Sequence, residues 1–365
     1  MQLIQGNKLN LRQSSTITIL ILAMTMAGCA ETHLVLNLTA PGQGAESKVW
    51  PAPPDVPRYR YVGELTGEDN FRPDNWANRS TATKLIDWLV GLTGYSDKPV
   101  VLQRPQSGMV DTAGRIYVTD MSRGAVYVFD KPAGQLEVWE MSGESERLVA
   151  PIGIAPGMQG EILVADAELH SVFRLNNQGE PVGEFGRDVL KRPTGLVRDA
   201  QHGVIYVADT HAHDIKVFGD DGRLLKVIGQ RGEGDGQFNF PTHLAFAADK
   251  LYVTDTLNSR VQIFDTDGNM VAKFGQRGLF VGNMVRPKGV AVDSAGNIYV
   301  VESLHDNLLI FDSQGHTLLA IGGNGKDAGE FYLPAGVWID SQDQVYIADM
   351  FNGRITVLQF LGSSQ

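Results

Sequence analysis

Ile116-Tyr117-Val118-Thr119-Asp120 (IYVTD) returns five times along the chain: as ILVAD ending at Asp166, IYVAD at Asp209, LYVTD at Asp255, IYVVE at Glu302 and VYIAD at Asp349. The closing acids are 46, 43, 46, 47 and 47 residues apart. A near-constant period of this length marks an array of like supersecondary units, each too small to bury its apolar face alone. Each copy follows a proline and a short apolar alternation, as in Pro287-Lys288-Gly289-Val290-Ala291-Val292-Asp293, and precedes a second one, as in Arg260-Val261-Gln262-Ile263-Phe264-Asp265. Alternation with period two sets β-branched and aromatic side chains on one face of a strand. The pairs Asp221-Gly222, Asp267-Gly268, Ala295-Gly296 and Gln314-Gly315 supply turns, and a fourth strand ends in an apolar residue and glycine at Phe185-Gly186, Ile228-Gly229, Phe274-Gly275 and Ile321-Gly322.

Four strands in about 45 residues make one propeller blade. Six copies therefore predict an all-β fold, a six-bladed β-propeller of four-stranded antiparallel blades over residues 104–361. The pattern, a proline and glycine before an apolar strand and then G-x-[IL]-Y-V-[TA]-D-x-x-N-x-R, resembles the NHL repeat. It is clearest over residues 251–264 and 345–357, where Asn258 stands with Arg260 and Asn352 with Arg354. No Trp-Asp dipeptide falls at blade spacing, which sets the WD40 propellers aside.

The sixth repeat ends at Gln359-Phe360-Leu361, just after its third strand. The stretch Arg58-Tyr59-Arg60-Tyr61-Val62-Gly63 has the ending of a fourth strand, so residues 58–66 are expected to complete the last blade and hide its edge. Residues 67–103 break the pattern. Thr81, Leu85, Trp88, Leu89 and Leu92 fall on one helical face, which predicts a short amphipathic helix as an insertion.

The amino terminus has the form of an export signal: Lys8 and Arg12 precede an apolar run, ITILILAMTMA, too short to span a bilayer permanently. The run ends at Met26-Ala27-Gly28-Cys29, which resembles the bacterial lipobox, with Met26 where that motif usually carries leucine. The resemblance implies a signal peptide over residues 1–28 and acylation of Cys29. Cys29 is the only cysteine, so a disulfide framework and a zinc-thiolate cluster are both ruled out. Residues 29–57, rich in proline at Pro41, Pro51, Pro53, Pro54 and Pro57, read as a tether. The expected location is the extracytoplasmic side of the cell envelope, and the outer membrane if the cell is Gram-negative, because Ala30 and not Asp follows the cysteine.

The net charge of -11 repels phosphate backbones, and no Lys/Arg run offsets it, so nucleic acid is not an expected partner. The acids that close each second strand share one place in the repeat. That place argues for carboxylates accepting backbone hydrogen bonds in the following turn, not for a metal ring. The NHL-like amidating lyases hold zinc through histidines placed directly after the proline that opens a blade, as the resemblance implies. Here those positions are Gln106, Ile152, Thr194, Thr242, Lys288 and Ala335, so the zinc set is missing and no cofactor is identified. His243 stands one place later, where most blades have glycine, and His211 with His213 forms a close pair.

Arg104, Arg192 and Arg286 immediately precede the opening prolines of the first, third and fifth repeats. If these positions face one mouth of the channel, they form a candidate binding site for an anion, with His243 nearby. The expected function is a non-catalytic binding or scaffolding module that takes an envelope protein or a small ligand. An envelope enzyme of lyase or lactonase type using the central channel is the alternative.

Overall fold

A computed structural model describes residues 34–38, 48–73 and 99–362. The signal segment, Cys29 and the amphipathic stretch over residues 81–92 lie outside them. The repeats fold into six antiparallel sheets with the strands of each blade in sequence order from the axis outward. The first blade runs Pro105–Val110, Ile116–Asp120, Ala125–Asp130 and Gln135–Trp139. Inner strands touch their neighbours all round the ring, including Val337–Ile339 of the last blade against Pro105–Val110 of the first. The fold is therefore the six-bladed propeller that the period predicts.

Alternation explains how the blades hold together. Each strand turns one set of apolar side chains to the preceding blade and the other to the next, so the core is divided into layers between blades. One layer joins Leu163, Ala165 and Val172 of the second blade to Leu196, Ile205 and Phe218 of the third. Fully burying one such side chain contributes about 1.5–3 kcal/mol. Glycine permits the tightest approach near the axis: a Cβ on Gly195 would stand 2.6 Å from the His243 Cα and 2.7 Å from the Thr242 carbonyl oxygen of the next blade.

The last blade is built from both ends of the chain. Tyr59–Leu65 pairs with Arg354–Phe360, with Leu358 opposite Tyr61 and Phe360 opposite Tyr59. Arg354 fixes this seam: its guanidinium bonds to Asp349 (2.7 Å), forms an ion pair with Glu64 of the closing strand and donates to the Glu330 carbonyl (2.9 Å). Parts of the stretch read as tether also pack on the body. Val49–Trp50 adds a fifth strand beside Tyr59–Leu65, and Leu34–Leu36 pairs with Phe71–Pro73. The apolar side chains of Leu34, Leu36 and Trp50 supply the reason, since they join the outer edges of the hydrophobic layers.

The two ends of the ring differ. Pro105 is opposite Asp120, Pro151 opposite Asp166, Pro193 opposite Asp209, Pro241 opposite Asp255 and Pro287 opposite Glu302. These pairs define a proline face, which also carries the long connections from each outer strand to the next blade. Short turns between first and second strands and between third and fourth strands define the opposite turn face.

Candidate functional site

The repeated acids are spent on the backbone. Asp120 accepts from the Gln103 (2.6 Å) and Arg104 (2.9 Å) amides as well as from Ser122 in the following turn (3.0 Å). Asp209 binds the Lys191 (2.9 Å) and Arg192 (2.8 Å) amides in the same way, and Glu302 binds the Arg286 amide at 2.6 Å. All six acids are fully buried. Each carboxylate thus ties the end of a second strand to the loop that opens the first strand of its own blade. Among the described residues no group of three or more His, Cys, Asp or Glu side chains is arranged to hold a metal ion.

This use of the carboxylates fixes the backbone of the three arginines but leaves their guanidiniums to find other partners. The Arg192 guanidinium finds Glu168 of the preceding blade at 2.5 Å. Arg104 lies over the Phe351 ring, 5.2 Å from its centroid, and its Nε is buried without a hydrogen-bond acceptor. Arg286 is exposed, and among the described residues its side chain has no hydrogen bond or ion pair. Lys288, directly after the opening proline of the fifth blade, is half-buried and has no anionic partner among the described residues either. Burial, and then the positive charges of Arg286 and Arg104, push its ammonium down to about 8.

The charges of Arg104 and Arg286 thus both bear on the Lys288 ammonium, whereas Arg192 is paired with Glu168. Lys288 is the member that the sequence reading left out. In the sequence it stands only as a non-histidine at a lyase position, and the repeat offers no local signal that charges of the first and fifth blades act on one another. Ala335, fully buried at the matching place in the sixth blade, keeps the intervening position small.

His243 sits deeper. It is 8% exposed, and neither ring nitrogen has a hydrogen-bond partner. Burial, with the charge of Lys288 adding to it, holds the imidazole neutral and lowers its pKa to about 3. Threonines occupy neighbouring places in the ring but bond to one another and to the backbone of the next blade. Thr194 meets Thr210 at 2.7 Å and donates to the Thr242 carbonyl at 2.8 Å. The His211–His213 pair shares no ligand geometry: His213 Nδ1 accepts the Phe240 amide at 3.2 Å and its ring stacks edge-on with Phe240 at 4.6 Å.

Toward the turn face the channel changes character. A cavity of about 210 Å³ is lined by Ile154, Leu196, Leu244, Val290, Val337 and Trp338 among others. Its side chains are apolar apart from Ser107 and Trp338, whose buried Nε1 has no acceptor. The lining of this cavity thus holds no charged side chain, whereas the start of the inner strands carries Arg104, Arg286 and Lys288.

Comparison with known proteins agrees with the fold. Residues 190–218 match the NHL repeat, and residues 284–363 match a family described as a 6-bladed beta-propeller. No curated protein matches the sequence. Among solved structures, virginiamycin B lyase from Staphylococcus aureus is similar at 14% identity, over 71% of this chain and 96% of that one, with a TM-score of 0.52. A gluconolactonase from Xanthomonas campestris is similar at 17% identity, over 73% and 90%, with a TM-score of 0.54. An auxiliary nutrient binding protein from Bacteroides thetaiotaomicron follows at 12%, over 72% and 70%, with a TM-score of 0.55. At these identities the likeness is one of fold.

Proposed function

Taking the chain as a six-bladed β-propeller with NHL-type repeats, we propose that it is a lipid-anchored binding module of the cell envelope whose proline face recognises an anionic ligand. The observation that carries this reading is the trio Arg104, Arg286 and Lys288 at or beside the opening prolines, three cations whose side chains find no counter-ion among the described residues of an acidic protein. Like charges held together without an anion destabilise the fold locally, and a carboxylate, sulfate or phosphate group entering the mouth relieves that cost. Arginine adds planar donors suited to such groups. The anchor reading rests on Cys29, the only thiol, at the end of the apolar signal.

Calorimetric titration with sulfate tests the site. Wild-type protein should bind it, and the triple variant Arg104→Gln, Arg286→Gln, Lys288→Gln should lose at least tenfold in affinity while unfolding at the same or a higher temperature. Equal affinity for the two proteins overturns the reading. Mass spectrometry of the mature amino terminus tests the anchor, which Cys29→Ser should abolish.

The enzyme reading, of lyase or lactonase type, has one observation in its favour: the unpartnered imidazole of His243 in the inner ring. Turnover of a lactone or cyclic ester that is lost in His243→Ala, with sulfate binding intact, would replace binding by catalysis as the role of this face.

A further inference from the structure

Three connections on the proline face have the same length and the same fold. They run over residues 229–241, 275–287 and 322–334, from the glycine after an outer strand to the next opening proline. In each, a bridge closes the loop (Arg231 with Phe238, Arg277 with Met284, Asn324 with Phe331), and the second residue of each bridge is fully buried. Because the frames match, the tips can be compared position by position. They read Glu233-Gly234-Asp235, Leu279-Phe280-Val281 and Lys326-Asp327-Ala328. The frame plainly does not need apolar residues at the tip, yet Leu279, Phe280 and Val281 are 86%, 84% and 77% exposed.

The middle loop differs in two further ways. In its sisters an arginine from the third strand clamps the tip backbone: Arg260 donates to the Gly234 carbonyl at 2.8 Å and Arg354 to the Lys326 carbonyl at 2.7 Å. Asn307 holds the matching place behind the apolar tip and makes no such bond, leaving a cleft of about 240 Å³ bordered by Leu279, Phe280, Glu302 and His305. Residues 275–286 also carry Arg277 and Arg286 and no acid, whereas each sister stretch holds one basic and two acidic residues. An apolar, cationic finger stands out from an otherwise acidic protein.

We infer that the finger Leu279-Phe280-Val281 docks into an apolar pocket rimmed by carboxylates on another envelope protein. Charge complementarity sets the rim, since Arg277 stands two residues before the tip in a stretch without an acid. Position argues against the protein's own bilayer as occupant, a step that rests on the anchor reading at Cys29. Leu34, five residues after Cys29, lies at the turn face: its carbonyl oxygen is 2.1 Å from where a Cβ on Gly134 would stand, in a turn between third and fourth strands. Five residues reach roughly 17 Å at most, about the length of one strand, so an anchored chain presents its turn face to the membrane and its finger away from it.

A photo-crosslinking residue at position 280 of the full-length protein in cells, with position 234 as the control, tests this. The expected result is one protein adduct at 280 and none at 234. Identified by mass spectrometry and purified, that partner should bind the wild type at least tenfold more tightly than a chain carrying Leu279→Glu, Phe280→Gly and Val281→Asp, the tip of the sister loop. It should also lose affinity for Arg277→Glu and as salt rises. Adducts only with lipid or with a second copy, no adduct, equal affinity for the exchanged tip, or sedimentation with phosphatidylglycerol vesicles that depends on the tip each overturn the inference. Mass analysis of the mature amino terminus reads the anchor separately, so a non-acylated chain that still yields the protein adduct fails the anchor reading and not this one.

Discussion

Arg354 and Arg104 lie close in the ring, one in the last blade and one at the entrance to the first, and are treated in opposite ways. Arg354 is 4% exposed and has every direction filled: Asp349, Glu64 and the carbonyls of Lys326 and Glu330, drawn from three separate segments. Arg104 has an aromatic ring on one side and no anion among the described residues, and its charge adds to that of Arg286 at Lys288. A buried charge is tolerated when several segments supply its acceptors. The first arrangement is what a closure device requires. The second leaves its acceptors to come from outside.

The contrast breaks most visibly at Arg354. Replacing it with methionine keeps most of the volume but removes the guanidinium that Asp349 and Glu64 share. Removing one member of a buried ionic set costs about 3–5 kcal/mol, and the closing strand loses its polar tie to the last blade. Equilibrium denaturation of Arg354→Met should show that loss. Arg104→Met should leave the midpoint unchanged or raise it. Similar losses for the two variants would mean that the mouth cations are as structural as the seam.

His243 offers a second test, because it is buried without partners yet carries no charge. In the fold its pKa is lowered to about 3, while in the unfolded chain it protonates near 6.5. Between those values the unfolded state holds the extra proton, so stability is full above pH 6.5 and falls as pH drops toward 3. At about 1.36 kcal/mol per unit, the imidazole accounts for roughly 2–3 kcal/mol of the stability lost between pH 6.5 and 4.5. Denaturant midpoints of His243→Phe over that range should decline less than those of the wild type by this amount. Parallel curves would show that the ring is hydrated or paired in solution.

How far these features were legible follows from their range along the chain. The blades, their number and the closure by residues 58–66 rest on a period and a missing strand, both local patterns that survive without coordinates. The fully buried acids were legible as backbone acceptors because their place in the repeat is constant, although their bonds to the loop before the proline were not anticipated. Convergence across the ring was not legible. The charge of Arg104 bears on Lys288 only because the first and fifth blades flank the sixth, and Glu168 reaches Arg192 from the blade before. The apolar finger was visible as three letters but had no meaning until its sister loops showed that the frame does without them. The packing of Leu34–Leu36 and Val49–Trp50 was obscured by the prolines around them.

Lys288 gives a smaller effect that sharpens the contrast from the ligand side. Its ammonium titrates at about 8, lowered by burial and by the two arginines, so its charge is lost as pH rises from 7 to 9. Sulfate keeps its charge over that range. Calorimetric affinity for sulfate should therefore decline across the interval in the wild type. Lys288→Met should start about tenfold weaker, the worth of one charge-assisted contact, and stay flat. A flat wild-type profile would place Lys288 outside the anion's reach.

The smallest effect is expected at Arg192, and it decides whether the mouth is a threefold ring or a two-arginine cluster with a lysine. By repeat position Arg192 is equivalent to Arg104 and Arg286, and its backbone amide is held by Asp209 as theirs are by Asp120 and Glu302. Its guanidinium, however, is paired with Glu168, which is half exposed. An exposed pair of this kind contributes about 0–1 kcal/mol and is screened by salt, so Arg192→Gln should barely move the denaturation midpoint. A guanidinium already neutralised has little to offer an incoming anion, so sulfate affinity should also stay within about twofold of the wild type. The double variant Arg192→Gln, Glu168→Gln separates the remaining possibility. If sulfate binding is unchanged in both variants, position in the repeat does not make a binding residue, and the missing counter-ion does. If Arg192→Gln alone weakens sulfate tenfold, Glu168 yields its partner to the ligand and the mouth acts as a threefold ring.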